Sequence, residues 1–190
     1  MRVIGGSARG RQLADLAGRD IRPTPDRVRE ALFSILYSRR GPLAESRVLD
    51  LFAGSGALGI EALSRGAAHA RFVDSAPRAL AAIRENLTRC GFTERASVVA
   101  GDVWKALPDC AAAGPFDLIF ADPPYGRELA PRLLAACAAE ALLDTDGILC
   151  LEAAADDDVP EQSGTLQRFD RRRYGLTVLH FFQPASEARG

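Results

Sequence analysis

Residues 49–63 read LDLFAGSGALGIEAL, and the two ends of this stretch ask for different structures. The apolar start suits a strand buried on both faces, over 47–52 (RVLDLF). The second half suits a helix over 57–66. Between them stands Gly54-Ser55-Gly56-Ala57-Leu58-Gly59, a G-x-G-x-x-G at a strand-to-helix turn. Glycines there permit a tight turn and let backbone come close to a bound cofactor. Asp74, twenty residues after Gly54, ends the next expected strand, where an acid can hold ribose hydroxyls. On this motif alone NAD fits as well as any other adenosine cofactor, and a packing loop of an α/β domain is the bland reading.

The alternation continues outward. Strands are expected at 69–74, 96–100, 116–121 and 147–152, and helices at 76–90, 103–109 and 127–143. That alternation reads as an α/β fold with a doubly wound, mostly parallel sheet. After an expected loop at 156–164 (DDDVPEQSG), residues 166–183 read as two strands around Tyr174-Gly175. A C-terminal antiparallel hairpin closing such a sheet is unusual for a dinucleotide dehydrogenase. On the N-terminal side, MRVIGGSARGRQL (1–13) is Gly-rich and basic, with room for one or two short strands. A helix then follows within 21–40, with Thr24 as N-cap, Pro25 at the first helical position and Asp26 at the positive end of the dipole. Val28, Ala31, Leu32, Ile35 and Leu36 give it one apolar face. The expected organisation is a basic arm and helix (1–46) packed on a catalytic domain (47–184), with a short tail (185–190).

The 190 residues, 47 % of them hydrophobic, suit one soluble globular domain with a real core. No run approaches the ~18–20 apolar residues of a membrane span, and the N-terminus lacks a signal peptide's apolar centre, so the expected address is cytoplasmic. Cys90, Cys110, Cys137 and Cys150 never stand at metal or redox spacing, and His69 and His180 have no ligand partner nearby in sequence. No metal is expected. The net charge of −1 carries no global nucleic-acid signature. Its distribution does: residues 1–47 carry ten arginines against five acids, +5, which leaves −6 for the rest. A basic arm on an acidic catalytic domain has that asymmetry.

Two further acids narrow the cofactor. Asp50 lies inside the first strand, four residues before the glycines, where a buried carboxylate needs a partner. Asp102 follows the third strand and could accept from an adenine amino group. Acids at the ends of successive strands would repel a pyrophosphate. They suit S-adenosylmethionine, which is cationic and phosphate-free.

Residues 120–126, FADPPYG, carry the second motif. The two prolines cannot donate ladder hydrogen bonds, so the strand must stop at Asp122 and leave a stiff, extended mount for a carboxylate and a ring. Asp122, Pro123, Pro124 and Tyr125 resemble the D/N-P-P-Y/F signature of amino-methyltransferases. An exocyclic amine delocalises its lone pair and is a poor nucleophile. A carboxylate and a backbone carbonyl that accept its N–H bonds favour the pyramidal form, and Tyr125 would stack on the base. Guanine presents adjacent donors that a carboxylate can take together, so the acid leans to guanine.

With both motifs in place, the chain resembles the bacterial small-subunit ribosomal RNA guanine-N2 methyltransferases of the RsmD type from residue 1 to about 183. RPT-x-DR-x-RE-x-LF, at residues 22–33, is the specific part. The resemblance implies a Rossmann-like class I methyltransferase fold, S-adenosylmethionine as donor and one guanine of 16S rRNA as target. That target would sit in the small subunit or its assembly intermediate. Asp50, Phe52, Gly54, Gly56, Asp74, Asp102 and Val103 would bind the cofactor. Asp122, Pro123, Pro124 and Tyr125 would hold the guanine. Arg9, Arg11, Arg22, Arg27 and Arg29 would face RNA or brace the pocket. Members of that family often carry a glutamate at the Asp74 position and a second acid two residues on, where this chain has Ala76. The ribose contact therefore rests on Asp74 alone.

Three other readings use the same scaffold: an adenine-N6 nucleic-acid methyltransferase, a protein-glutamine methyltransferase and a non-enzymatic ribosome-assembly RNA clamp. For the first, the chain length leaves no room for a separate DNA target-recognition domain, which counts against DNA as its substrate. The second has no use for the arginine-rich N-terminus, and the third no use for Asp122 through Tyr125. The expected working form is a monomer, with no membrane partner.

Overall fold

Val48, Leu49 and Leu51 of the first strand are wholly shut from solvent, as a strand covered on both faces requires. The computed structural model describes residues 1–14, 16, 25–124 and 129–185. The chain divides into two compact units, Met1–Val103 and Trp104–Gly190. The division falls inside the expected 47–184 domain and groups the N-terminal arm with the first three strands.

In the first unit, α1 (Asp26–Arg40) leads into β1 (Arg47–Leu51), α2 (Ala57–Ser64), β2 (His69–Asp74), α3 (Pro77–Cys90) and β3 (Ala96–Ala100). The strands are ordered β3-β2-β1 and all run parallel. Leu51 stands level with Val73, and Asp74 with Ala100, so the carboxyl ends of all three meet one edge. Val28, Leu32, Phe33 and Leu36 form the buried stripe of α1, each contributing about 1.5–3 kcal/mol. Pro25 occupies the N-cap position of α1, so the helix starts one residue later than expected; the Pro25 carbonyl accepts from the N–H groups of Val28 and Arg29 at 2.9 and 3.1 Å. Thr24 lies outside the described residues. Among its described residues the arm forms no full strand. Its ends meet in a single Arg2–Gln12 bridge around the loop of residues 5–10.

The second unit carries α4, which starts at Val103 and runs to Ala113, then β4 (Phe116–Ala121), α5 (Leu129–Ala139), β5 (Leu143–Ala154), β6 (Gln162–Ser163), β7 (Leu166–Tyr174) and β8 (Thr177–Pro184). Its strands are ordered β4-β5-β8-β7-β6, parallel between β4 and β5 and antiparallel from β8 on. The expected hairpin is there, with Tyr174 facing Thr177 across Gly175-Leu176. Several boundaries differ from expectation. Helix α5 ends at Ala139, short of the expected 143, where β5 already begins. Helix α4 continues one turn past 109, with Pro108 in its interior. Strand β5 runs beyond 147–152 at both ends, held on its far side by β8 out to Ala154 and Thr177. The loop at 156–164 contains β6, which pairs with Leu166 and Gln167. Phe120, Leu149, Phe181 and Phe182 lie at the centre of this unit's core.

Candidate active site

The cofactor loop belongs to the first unit. Beyond β1 the chain turns at Phe52, a half-buried residue with φ of 57°. A phenylalanine in the left-handed region costs about 1–3 kcal/mol and marks functional turns. Gly54 and Gly56 follow with φ of 57° and 76°. A Cβ on Gly54 would meet only Leu16, at 3.6 Å, and the Phe52 carbonyl, at 4.0 Å, so the loop backbone is open to a ligand. The third glycine has a different task. A Cβ on Gly59 would stand 2.3 Å from the Phe72 ring, so α2 can lie this close to β2 only without a side chain there.

Two carboxylates hold the loop. Asp74 accepts from Gly54 N–H through one oxygen and from Ala76 N–H through the other, both at 2.8 Å. Each oxygen keeps a second lone pair with which to accept a hydroxyl. The position two residues on, where an acid is missing, thus supplies a backbone donor that orients Asp74. Asp50 is 3 % exposed and accepts from Gly59 N–H at 2.9 Å. Its partner is therefore already in the fold, at the first turn of α2. Burial pushes its pKa up to about 8; the Gly59 N–H opposes that shift and the charge of Asp74 adds to it. Asp102 is exposed and Val103 buried, just after Gly101, whose N–H reaches the Asp74 carbonyl at 3.0 Å. Three acids and an open glycine backbone fit a cationic, phosphate-free cofactor, whose charge would relieve Asp50. They do not fit a pyrophosphate.

Sequence reading missed two residues, one that ties the arm to this loop and one that ties it to α2. Asn86 of α3 is fully buried and donates to the Ser55 carbonyl at 2.9 Å. The same side chain takes Ala14 N–H at 2.6 Å and donates back to the Ala14 carbonyl, tying arm to loop. Glu61 of α2, also fully buried, accepts from Ile4 and Gly5 N–H at 2.7 and 2.8 Å and from Arg65 at 2.7 Å. Both were visible as lone polar residues on apolar helix faces.

The acceptor corner belongs to the second unit. β4 is buried almost throughout and ends at Ala121, after which Asp122 is half-buried, Pro123 buried and Pro124 exposed. Tyr125 lies outside the described residues. Phe120 pairs with Cys150 and Ala121 with Leu151, so Glu152 stands beside Asp122 on the next strand. Burial raises the Cys150 thiol well above its ordinary range, and the charges of Glu152 and then Asp122 push it the same way. Glu152 is itself buried, a second carboxylate that the sequence reading passed over.

Comparison with known proteins bears on this arrangement. The family described as conserved hypothetical protein 95 matches residues 1–183. "Putative rRNA methyltransferase YlbH" of Bacillus subtilis is 41% identical over 185 residues, 96% of this chain and 98% of that protein. "Ribosomal RNA small subunit methyltransferase D" of Escherichia coli is 33% identical over 190 residues, 100% of this chain and 92% of that protein. The chain belongs to the RsmD family. A solved structure, "Putative methyltransferase yhhF" from Escherichia coli, superposes with a TM-score of 0.83 at 30% identity, covering 98% of this chain and 99% of that one. The fold is thus the Rossmann-like class I methyltransferase fold.

In this RsmD-family chain the five arginines expected to face RNA or brace the pocket divide. Arg9 and Arg27 are exposed. Arg11 is exposed but spends one donor on the Arg89 carbonyl at the end of α3, 2.5 Å away. Arg29 does not face solvent at all: it is fully buried and donates to the Arg2 carbonyl at 2.6 Å and to Asp26 at 2.7 Å. It lies on the α1 stripe beside Val28, which carries it inward and makes it a brace. Arg22 lies outside the described residues.

Proposed function

We propose that this chain transfers the methyl group of S-adenosylmethionine to the exocyclic 2-amino group of a guanine in 16S rRNA, within the small subunit or its assembly intermediate. The coarser part, an S-adenosylmethionine-dependent rRNA methyltransferase, follows from family membership over residues 1–183. The finer part is carried by one observation: a carboxylate that leaves the end of β4 on a rigid double-proline mount.

The cofactor supplies a methyl group on a sulfonium that becomes a neutral thioether when the methyl leaves. Gly54 leaves the loop backbone open to it, while Gly56 faces Ile83, Phe72 and Ile60 and supplies the turn; Asp74 would take the ribose hydroxyls and Asp102 the adenine amino group. The remaining work falls to the second motif. Asp122 and the Pro123 carbonyl accept the two amine N–H bonds, which frees the nitrogen lone pair for attack. The new C–N bond leaves a positive charge on that nitrogen, and Asp122 stabilises it until the extra proton departs. Tyr125 stacks on the base, worth about 1–3 kcal/mol. The protein's working form in this reading is a cytoplasmic monomer, since an enzyme acting on ribosomal RNA requires access to the small subunit.

The test separates chemistry from folding. Asp122→Ala should cut single-turnover methylation of small-subunit particles by at least about 10²-fold, with cofactor affinity and thermal melt unchanged. A folded Asp122→Ala protein that methylates at the wild-type rate removes the acceptor role.

A further inference from the structure

We infer that the exposed edge of β7 and the β7–β8 tip form a second contact surface for the RNA backbone, beside the acceptor corner and distinct from the N-terminal arm; this rests on an RNA substrate as proposed above. Three consecutive arginines, Arg171, Arg172 and Arg173, are exposed on β7. Asp170 pairs with Arg172 at 3.1 Å, but among the described residues no carboxylate pairs with Arg171 or Arg173. Arg173 donates through Nε to the Gly175 carbonyl at 2.9 Å, which holds its guanidinium at the tip. The tip residue Leu176 is 70 % exposed.

Register places these charges. Ala121 stands level with Leu151, Leu151 with His180 and His180 with Arg171. One residue further, Glu152, Leu179 and Arg172 stand level with one another and therefore with Asp122. The arginines thus sit at the height of the acceptor carboxylate, three strand spacings away, about 14 Å at ~4.8 Å each. The strand directions also put the tip and Asp122 at the same end of the sheet, the carboxyl end of β4 and β5, where α/β sheets bind ligands. The field of the patch is felt inside the fold: His180 is held down to about 4 by burial and by Arg168 and Arg171. A bare phosphate backbone running past the target base is the occupant that two unpaired guanidiniums at this place fit.

A rival account exists. β6 and the Glu161 carbonyl cover only Leu166, Gln167 and Arg168, so among the described residues the Arg171–Arg173 stretch of β7 is an open edge, and charged residues guard such edges against aggregation. Binding of small-subunit particles by Arg171→Glu/Arg173→Glu, measured from 50 to 300 mM salt, separates the two. Arg171→Gln/Arg173→Gln is the milder second variant, and Arg84→Glu on exposed α3 the charge control. The expected result is at least tenfold weaker binding for the reversed pair, with a salt slope lower by about 1.4–1.8, the loss of two phosphate contacts. The Gln pair should shift the same way by less, and cofactor affinity should not move. Unchanged RNA binding and slope, with or without aggregation of the variants, would overturn the inference. So would an equal effect of Arg84→Glu. A wild-type protein that binds particles tightly but methylates no guanine would sink the proposed reaction and leave this surface standing.

Discussion

Replacing Asp50 by Asn tests whether the buried acid of β1 is neutral in the ligand-free protein. Its carboxyl keeps a proton up to about pH 8, mainly because burial penalises the charge. In the unfolded chain it loses that proton near 3.8. The folded form therefore binds more protons between these values, and stability must fall as pH rises across them, by about 1.4 kcal/mol per pH unit. From pH 5 to pH 8 the loss reaches about 4 kcal/mol, or roughly 10 °C in melting temperature for a chain of this size. Asn resembles the neutral acid and can still accept from Gly59 N–H, so Asp50→Asn should escape this penalty. Urea denaturation of both proteins without cofactor, at half-unit steps from pH 5 to 9, gives the difference curve. It should climb in favour of the variant up to about pH 8 and then level off. Saturating S-adenosylmethionine should flatten it, because a nearby cation favours the carboxylate. A flat difference curve in the ligand-free proteins would refute the reasoning, since Asp50 would then ionise in the fold as it does in water.

Three further outcomes follow from the same contacts. Asp74→Ala releases the Gly54 and Ala76 N–H groups and should weaken cofactor binding by about 1–3 kcal/mol by calorimetry, while NAD should not raise the melting temperature of either protein. Arg9→Glu should weaken rRNA binding and lower its salt slope by about 1, whereas Arg11→Glu, which loses the Arg89 carbonyl, should also lower the melting temperature. Glu61→Ala removes a buried carboxylate that holds two N–H groups and Arg65; it should cost about 3–5 kcal/mol in urea unfolding and speed amide exchange at Ile4 and Gly5.

Much of this molecule is legible along the chain, and the gaps share a cause. The strand-to-helix turn at Gly54 and the stop at Pro123 are local events, written in residues that follow one another. The hairpin at Gly175-Leu176 is local too. Asn86 and Glu61 meet partners 72 and 57 residues away, so their roles appear only once the arm has docked. Their presence was readable all the same, because a lone polar group on an apolar face needs a partner. That rule was applied to Asp50 in β1 but not to Glu152, an acid in an equally apolar strand. For Asp50 it found the right need, and a backbone N–H of α2 meets part of it within the fold. For Arg29 the sequence left two roles open, an RNA contact or a brace. Its place beside Val28 and one turn before Leu32 puts it on the buried stripe, where Asp26 and the Arg2 carbonyl receive it.

The central claim concerns which atom receives the methyl group. Small-subunit particles from cells lacking this gene, incubated with the protein and isotopically labelled S-adenosylmethionine, can be digested to nucleosides and resolved by mass spectrometry. The account predicts label in N2-methylguanosine from 16S rRNA, at one site per molecule, and none with Asp122→Ala. Label in N6-methyladenosine or in ribosomal protein, or none with the wild-type enzyme, would contradict it.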